Sequence, residues 1–294
     1  MIIPVAELPE EAYHASSGMD SNQWITRSMI ACYIQDPSLF KLRYIDKDPM
    51  VQFAGSKSTR FGCYIEDYIL NGDVSDYVRQ PSECVNGKGE TVKWTFGAGR
   101  YVDDPDGMTT KEWRELHTKL IKDDDHDLAV FLEKRFADTA MGIYWLKRIK
   151  ESEKQVTVRW KDEETGLNLQ VRIDNLLRGL YMVDLKSTGK SLDKFSQAAE
   201  DYGYGLQEAM YSEGYCHETG EKLPYVFAVA ETTGMHRARI ITLHPAQVSY
   251  YKEQYRVALR GIAAGNFDAY DKLETKTMQA PLPSYLHYKY EDES

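Results

Sequence analysis

The chain has 294 residues, of which 42% are apolar and 12% aromatic, and this composition predicts a folded protein that buries a sizeable core. Its net charge of −10 argues against a protein that coats nucleic acid by charge alone, because such binding needs an excess of Lys and Arg. An enzyme that acts on DNA is not excluded, since carboxylates that hold metal ions add negative charge. The four cysteines have no C-x-x-C or Cys/His spacing, which argues against zinc, an iron–sulfur cluster or a disulfide framework.

The N-terminal residues, MIIPVAELPEEAYH, lack the basic start and the apolar core of a signal peptide. No apolar run approaches the length that is needed to cross a bilayer. We therefore expect a soluble, cytoplasmic protein with no membrane partner.

The first 72 residues have the pattern of a helical front. Apolar residues recur at helical spacing over 22–45 and are interrupted at Asp36-Pro37, which predicts two short helices. Another helix is predicted over 59–72, with Gly62 in its interior. Glycine costs about 1 kcal/mol relative to alanine at such a position, so we expect another group to approach the helix closely there.

The segment 73–108 holds most of the early Gly, Pro and Asp, which predicts an irregular insertion with a small hairpin across 86–89. Helices are predicted over 109–151, joined at the acidic stretch 122–127. The stretch 131–160 is rich in Lys and Arg. It is either a basic groove for DNA or the solvated face of a helix.

From residue 155 the pattern changes to that of β-strands. The runs QVTVRW, LNLQVRIDNLL and LYMVDLKST are separated by the turn sequences KDEETG and RG, which predicts a three-stranded antiparallel meander. A long helix over 192–217, two strands and a helix over 245–265 follow. Without internal repeats, the chain is predicted to be a single α/β domain, with its core over 155–266 and a C-terminal tail over 267–294.

The third predicted strand carries an acid and a base two residues apart. Positions i and i+2 of a strand point the same way, so Asp184 and Lys186 would lie side by side. Such a pair is either a surface ion pair of small energetic value or part of an active site. The second strand ends in RIDNLL, and the short turn would bring Asp174 close to Asp184.

Two carboxylates this close repel one another unless a cation lies between them. Oxygen ligands of this kind suit Mg²⁺, which completes its shell with water and substrate phosphate. Metal-assisted phosphodiester hydrolysis would use all three groups, because the metal activates a water while the lysine orients that water or stabilises the transition state.

These residues resemble the signature of the PD-(D/E)XK nuclease superfamily. Asp174 followed by Asp184-Leu185-Lys186 is similar to its D…(D/E)-x-K pattern. The run GCYIE, which ends at Glu66, is similar to the glycine helix of the RecB-like and exonuclease VIII (RecE-like) branch. The run YGLQEAMY, 204–211, resembles the Q-x-x-x-Y element of that branch. Exonuclease VIII relatives more often carry His where this chain has Glu66, and this departure weakens the assignment to that branch.

The resemblance implies a restriction-endonuclease-like core, in which a mixed central sheet is flanked by helices, with an N-terminal helical extension. It implies four catalytic residues: Glu66, Asp174, Asp184 and Lys186. Mg²⁺, for which Mn²⁺ can substitute, would be held by the three carboxylates and the backbone carbonyl of Leu185. Contacts with the substrate are expected from five residues: Gln207, Tyr211, Ser187, Thr188 and Lys190.

Most of these expected substrate contacts have a structural alternative. Gln207 and Tyr211 are one helical turn apart on one face, and Tyr211 could pack in the core. Ser187 and Thr188 could cap the turn after the strand. Lys190 could belong to a solvated face.

The resemblance further implies a phage or bacterial exonuclease that degrades linear double-stranded DNA from 5′ to 3′ for recombination. Such relatives form homo-oligomeric rings and act beside a single-strand annealing protein, so both kinds of partner are expected. Two alternatives remain open. One is an endonuclease or a repair or CRISPR-associated nuclease of the same fold, and the other is a non-catalytic DNA- or protein-binding module.

Overall fold

The computed structural model of the protein describes residues 1–52, 57–95, 97, 99–117 and 119–267, with the backbone alone at 57–60. The predicted C-terminal tail lies outside the described residues, apart from Phe267. The α-helices are α1 (Glu10–Ala15), α2 (Arg27–Gln35), α3 (Pro37–Phe40), α4 (Lys57–Glu66), α5 (Thr110–Leu116), α6 (Asp123–Ala137), α7 (Ala140–Glu151), α8 (Phe195–Asp201), α9 (Tyr204–Thr219) and α10 (Pro245–Ala263). The strands are β1 (Ile2–Ile3), β2 (Val78–Gln80), β3 (Glu83–Asn86), β4 (Thr91–Lys93), β5 (Arg100–Tyr101), β6 (Leu120–Lys122), β7 (Glu153–Lys161), β8 (Asn168–Leu177), β9 (Tyr181–Thr188), β10 (Tyr225–Glu231) and β11 (Ala238–Ile241).

A six-stranded mixed sheet lies at the centre, in the order β1-β7-β8-β9-β10-β11. Strands β7, β8 and β9 form the predicted antiparallel meander. The chain then crosses over through α8 and α9, so that β10 joins β9 in parallel. This sheet with flanking helices confirms the predicted fold class.

Two hydrophobic clusters form the core. The first packs α2, α9 and α10 against the sheet and includes Phe227 and Tyr255. The second packs α4, α6 and α7 against the sheet and includes Val183 and Leu185. Every residue of β10 is buried, as expected for a strand that is covered on both faces.

Helix α9 lies unusually close to its neighbours, and two glycines make this possible. A Cβ atom at Gly205 would stand 2.3 Å from the ring of Tyr251, and one at Gly214 would stand 2.4 Å from the ring of Trp160. Neither distance is sterically allowed. Glycine is therefore needed at both positions for α9 to pack this closely on α10, through Tyr251, and on β7, through Trp160. The close packing fixes the helix that carries Gln207.

The front of the chain largely follows the sequence prediction. Helices α2 and α3 are separated at Asp36, whose side chain accepts hydrogen bonds from the first backbone N–H groups of α3. Helix α4 continues as a π-helical turn over Asp67–Asn71. In the insertion, β3 and β4 pair as the predicted hairpin, and β5 joins them on the other side.

The acidic stretch 122–127 is not a join between helices, and that prediction is wrong. Strand β6 ends at Lys122, and the aspartates that follow form the first turn of α6. Carboxylates are favourable there because the N-terminal end of a helix is electropositive. The join lies instead at Thr139, whose side chain accepts a hydrogen bond from the N–H of Gly142 and caps α7.

The single helix predicted over 192–217 is also wrong. The chain turns at Gly203, which has φ +64°, and this left-handed conformation ends α8 and starts α9. The sequence did not predict β1, which pairs with β7 at one edge of the central sheet, or β2 and β6, which form a separate two-stranded parallel sheet. All four cysteines are free thiols, and no helix among the described residues is long and apolar enough to span a membrane.

Candidate active site

Strands β8 and β9 separate at the level of the two aspartates. The last pair of the ladder joins Asn175 to Val183, and Asp174 and Asp184 are the next residues on the two strands. Beyond this point β9 pairs only with β10 on its other side. The two carboxyl groups lie close enough at this fork for each to act on the pKa of the other, and the sequence analysis expected them to lie near each other.

Asp184 is fully buried and has two further partners, Lys186 and Gln207. The ammonium of Lys186 lies 2.5 Å from its Oδ2 atom. The amide of Gln207 donates to its Oδ1 atom at 2.7 Å and also donates to the hydroxyl of Tyr225 at 2.9 Å. Apart from Lys186, Oδ2 has no hydrogen-bond partner within the described residues.

The pKa values of this pair favour the ionised forms. Burial by itself raises the pKa of Asp184, but the Lys186 charge and the hydrogen bonds outweigh it and hold the pKa below its usual value. Burial by itself lowers the pKa of Lys186, but the Asp184 and Asp174 carboxylates raise it above its usual value. The Lys186 side chain is only 22% exposed, and its ammonium lies 5.3 Å from the ring centroid of Tyr204.

A third carboxylate, Glu66, reaches the fork from the last residue of α4. The amide nitrogen of Gln155, on β7, donates to Asp174 Oδ1 at 3.1 Å and to Glu66 Oε1 at 3.4 Å. Burial and the charge of Asp184 raise the pKa of Glu66 to about 7. Burial and the charges of Glu66 and Asp184 raise the pKa of Asp174 well above its usual value. The cluster therefore holds more acid than its lysine can neutralise.

The donor set fits a hard divalent ion. No three His, Cys, Asp or Glu side chains in the described ranges converge closely enough to hold a metal as they stand. Mg²⁺, however, is usually bound by one or two carboxylates and keeps several waters. The paired carboxyls of Asp174 and Asp184 meet that requirement, and the crowding of negative charge would be relieved by a cation.

Two of the predicted substrate-binding residues lie at the site and others do not. Gln207 contacts Asp184 directly, and Tyr211, one turn further along α9, is half-buried with its ring edge-on to Tyr225. Leu185 lies between the two charged residues of β9, and its side chain packs in the second cluster.

The residues after Lys186 adopt the structural alternatives. Thr188 is buried, and its hydroxyl accepts a hydrogen bond from the N–H of Lys190 at 3.0 Å, which caps the turn after β9. The Lys190 ammonium pairs with Asp201 at the surface. Ser187 faces α4, where a Cβ atom at Gly62 would lie 3.6 Å from its hydroxyl. That is an ordinary contact, so the prediction that Gly62 admits an unusually close approach is wrong.

Two arginines near the site were missed by the sequence analysis. Arg172 lies two residues before Asp174, is buried, and has Nε and Nη1 without hydrogen-bond partners among the described residues. Arg27, at the start of α2, donates to the carbonyl of Tyr202 at 2.7 Å, while its buried Nε has no partner in that part of the chain. The only sequence signal was an arginine close to each motif, which is too common to single out.

Arg27 also lines a cavity beside the site. The cavity has a volume of about 310 Å³ and is lined by Tyr13, His14, Ser17, Thr26, Arg27, Ser28, Met29, Tyr44 and Tyr211. Tyr211 connects it to the fork, because its ring lies edge-on to Tyr225, whose hydroxyl accepts a hydrogen bond from Gln207. The cavity thus offers a cation and several hydroxyl groups next to the carboxylates.

Comparison with known proteins agrees with this arrangement. Residues 59–264 match the family described as a PDDEXK-like domain of unknown function (DUF3799). No curated protein sequence matches the chain. The fold is similar to the crystal structure of a candidate exonuclease from Eubacterium rectale, with a TM-score of 0.57 and 16% sequence identity over 96% of this chain and 97% of the other. The family match over residues 59–264 covers more than half of the chain, and the protein therefore belongs to the family of PDDEXK-like domains.

Proposed function

We propose that this protein is a divalent-metal-dependent deoxyribonuclease that hydrolyses phosphodiester bonds in linear double-stranded DNA. The observation that carries the proposal is the fork between β8 and β9, where Asp174, Asp184 and Lys186 meet and Gln207 fixes the central carboxylate. A buried cluster of this kind has no evident structural use, because burying three acids beside one base is unfavourable. The protein's membership of a PDDEXK-like family also supports a nuclease function.

The residues of the site divide the chemistry among them. A divalent ion, when bound, would lower the pKa of an attacking water and neutralise charge on the leaving oxygen. Asp174 and Asp184 would hold the ion, together with the carbonyl of Leu185, and Glu66 would add a further oxygen. The Lys186 ammonium would orient the attacking water and stabilise the negative charge that develops on the phosphate.

Gln207 has a supporting part in this scheme. Its amide binds Asp184 Oδ1 and the Tyr225 hydroxyl at once, so the carboxylate is held in one orientation with Oδ2 directed to Lys186. Hydrogen bonds of this kind tune and orient metal ligands. Tyr211, one turn along the same helix, faces the cavity and is placed to contact the DNA.

The cavity beside Tyr211 supports action at a DNA end. Its lining combines the Arg27 guanidinium with the hydroxyls of Thr26 and Ser28, and such groups are common ligands of phosphate. Its volume of about 310 Å³ suits a terminal phosphate and its sugar but not a continuous duplex. A pocket of this size favours a DNA end, whereas an endonuclease must accommodate DNA on both sides of the bond that it cleaves.

From the resemblance to exonuclease VIII relatives we also propose degradation from 5′ to 3′, a homo-oligomeric ring and a single-strand annealing partner that acts in recombination. A ring encloses its substrate, so it depends less on positive charge than an open surface does. This would reconcile DNA binding with a net charge of −10.

The test uses purified protein with 5′-labelled linear duplex, 3′-labelled linear duplex and closed circular DNA, each with Mg²⁺ or EDTA. We expect Mg²⁺-dependent release of the 5′ label and no cleavage of the circle. Asp184→Asn should abolish the reaction, and Asp201→Asn, a surface carboxylate of α8, should not. Cleavage of circles would show an endonuclease, and DNA binding without cleavage in Mg²⁺ or Mn²⁺ would show a binding module.

A further inference from the structure

Gln155 has a backbone conformation that is unusual for its position. Its φ angle is +51°, and the other described non-glycine residues with positive φ are Lys47 and His236. Both of those lie in connections, whereas Gln155 lies inside strand β7. A residue other than glycine rarely adopts this conformation, and inside a strand it is normally disfavoured.

The conformation reverses the direction of the side chains along β7. The ammonium of Lys154 donates to Asn175 Oδ1 at 2.7 Å and to the Ile149 carbonyl of α7. Val156, two residues on, packs in the first cluster, on the opposite side of the sheet. Residues two apart in a regular strand share a face, so the alternation is broken at Gln155.

The irregularity is not a β-bulge. The ladder pairs Lys154 with Asn175 and Val156 with Ile173, so neither strand contains an extra residue. Gln155 and Asp174 are the two residues between these pairs, and they stand opposite each other. The local change in direction therefore turns the side chain of Gln155 toward the fork instead of toward either core.

The side chain uses this direction to connect two carboxylates from different layers. Its amide nitrogen donates to Asp174 on β8 and to Glu66 on α4. Glycine or asparagine adopts positive φ more readily, but glycine has no side chain and asparagine is one methylene shorter. An unfavourable backbone conformation that persists beside a reactive cluster is typical of functional sites.

We propose that Gln155 is a positioning residue of the metal site, whose amide keeps Glu66 beside Asp174 and so within reach of a divalent ion that Asp174 and Asp184 hold. The inference rests on the proposed function. Mutual repulsion would otherwise push the Glu66 side chain away from the fork. An ionised carboxylate has about four lone-pair sites, so Asp174 and Glu66 can bind a metal while they accept hydrogen bonds from the amide.

The test measures Mn²⁺ binding to the protein without DNA, by isothermal titration calorimetry, and the thermal midpoint in EDTA. Gln155→Gly should leave the midpoint unchanged or raise it, since glycine adopts positive φ without strain. The same substitution should weaken Mn²⁺ binding about 10- to 100-fold, as expected for the loss of a group that orients metal ligands. Gln155→Asn, which keeps an amide but cannot span both carboxylates, should weaken Mn²⁺ binding to a similar extent.

Lys47→Gly is the matched control. Lys47 also has positive φ, at +55°, but it is exposed and its ammonium lies 3.9 Å from Asp20 at the surface. This variant should raise the midpoint and bind Mn²⁺ like the wild type.

The outcomes separate the two proposals. Wild-type Mn²⁺ affinity in Gln155→Gly and Gln155→Asn would overturn the role of Gln155. So would a large fall in the thermal midpoint of Gln155→Gly, because the amide would then serve the fold. Absence of Mn²⁺ binding to the wild type would instead overturn the proposed metal-dependent function.

Discussion

Replacing Glu66 with glutamine should change how stability depends on pH. The pKa of Glu66 is raised from 4.5 to about 7 by burial and by the Asp184 charge. A carboxyl group with a raised pKa binds its proton more tightly in the folded protein than in the unfolded chain. Its contribution therefore makes the folded state less stable as pH rises from about 4.5 through about 7.

The size of the effect follows from the shift. One pKa unit corresponds to about 1.4 kcal/mol, so a rise from 4.5 to about 7 corresponds to roughly 3 kcal/mol as an upper value. Glutamine has no proton to lose. In metal-free buffer we expect Glu66→Gln to match the wild type near pH 5 and to be more stable by up to about 3 kcal/mol near pH 8.

Urea unfolding in EDTA at several pH values between these limits measures this difference. Glu83→Gln is the control, because Glu83 is an exposed residue of the hairpin strand β3. Saturating Mn²⁺ should reduce the difference between the wild type and Glu66→Gln, since the ion offsets the charge of the carboxylate. Parallel pH profiles for the two proteins in EDTA would refute the reasoning and would place Glu66 in a solvated environment.

Four further substitutions, at three residues, test the other groups of the site. Lys186→Arg and Lys186→Met should each slow hydrolysis of linear duplex by at least about 100-fold with DNA binding in Ca²⁺ retained, because a planar guanidinium cannot replace a compact ammonium; wild-type turnover in the arginine variant would reduce Lys186 to an ion-pair partner. Asp184→Asn should stop hydrolysis and also lower the free energy of unfolding in EDTA by about 3 kcal/mol, since it leaves the Lys186 charge without its partner; unchanged stability in urea unfolding would contradict this. Arg27→Ala should raise KM for 5′-phosphorylated duplex roughly tenfold and leave KM for 5′-hydroxyl duplex unchanged; an equal effect on both would remove Arg27 from phosphate binding.

The local geometry of the fork was readable from the sequence. Strand period and short turns over 155–188 predicted the meander, and the register that a tight turn imposes predicted that Asp174 would stand beside Asp184. Lys186 followed from the alternation of side chains along one strand. These relations join residues that are close in sequence or are tied by one turn, so local backbone rules are sufficient. Gln207 and Tyr211, in contrast, were expected only from the resemblance to a nuclease family.

The remaining features depend on contacts between distant segments. The parallel pairing of β10, the break at Gly203 and the approach of Glu66 all follow from how helices pack on the two faces of the sheet. The sequence did not specify the partners of Thr188 and Lys190. In the structure the Thr188 hydroxyl caps the turn after β9 and the Lys190 ammonium pairs with Asp201.

Gln155 shows most clearly what the sequence did not determine. It stands in an ordinary strand pattern, QVTVRW, and glutamine has no preference for positive φ that would mark the position. Alternation predicts the direction of a side chain only while the strand is regular. The tertiary structure breaks that regularity where β8 and β9 separate, because there the Gln155 amide donates to Asp174 on β8 and to Glu66 on α4.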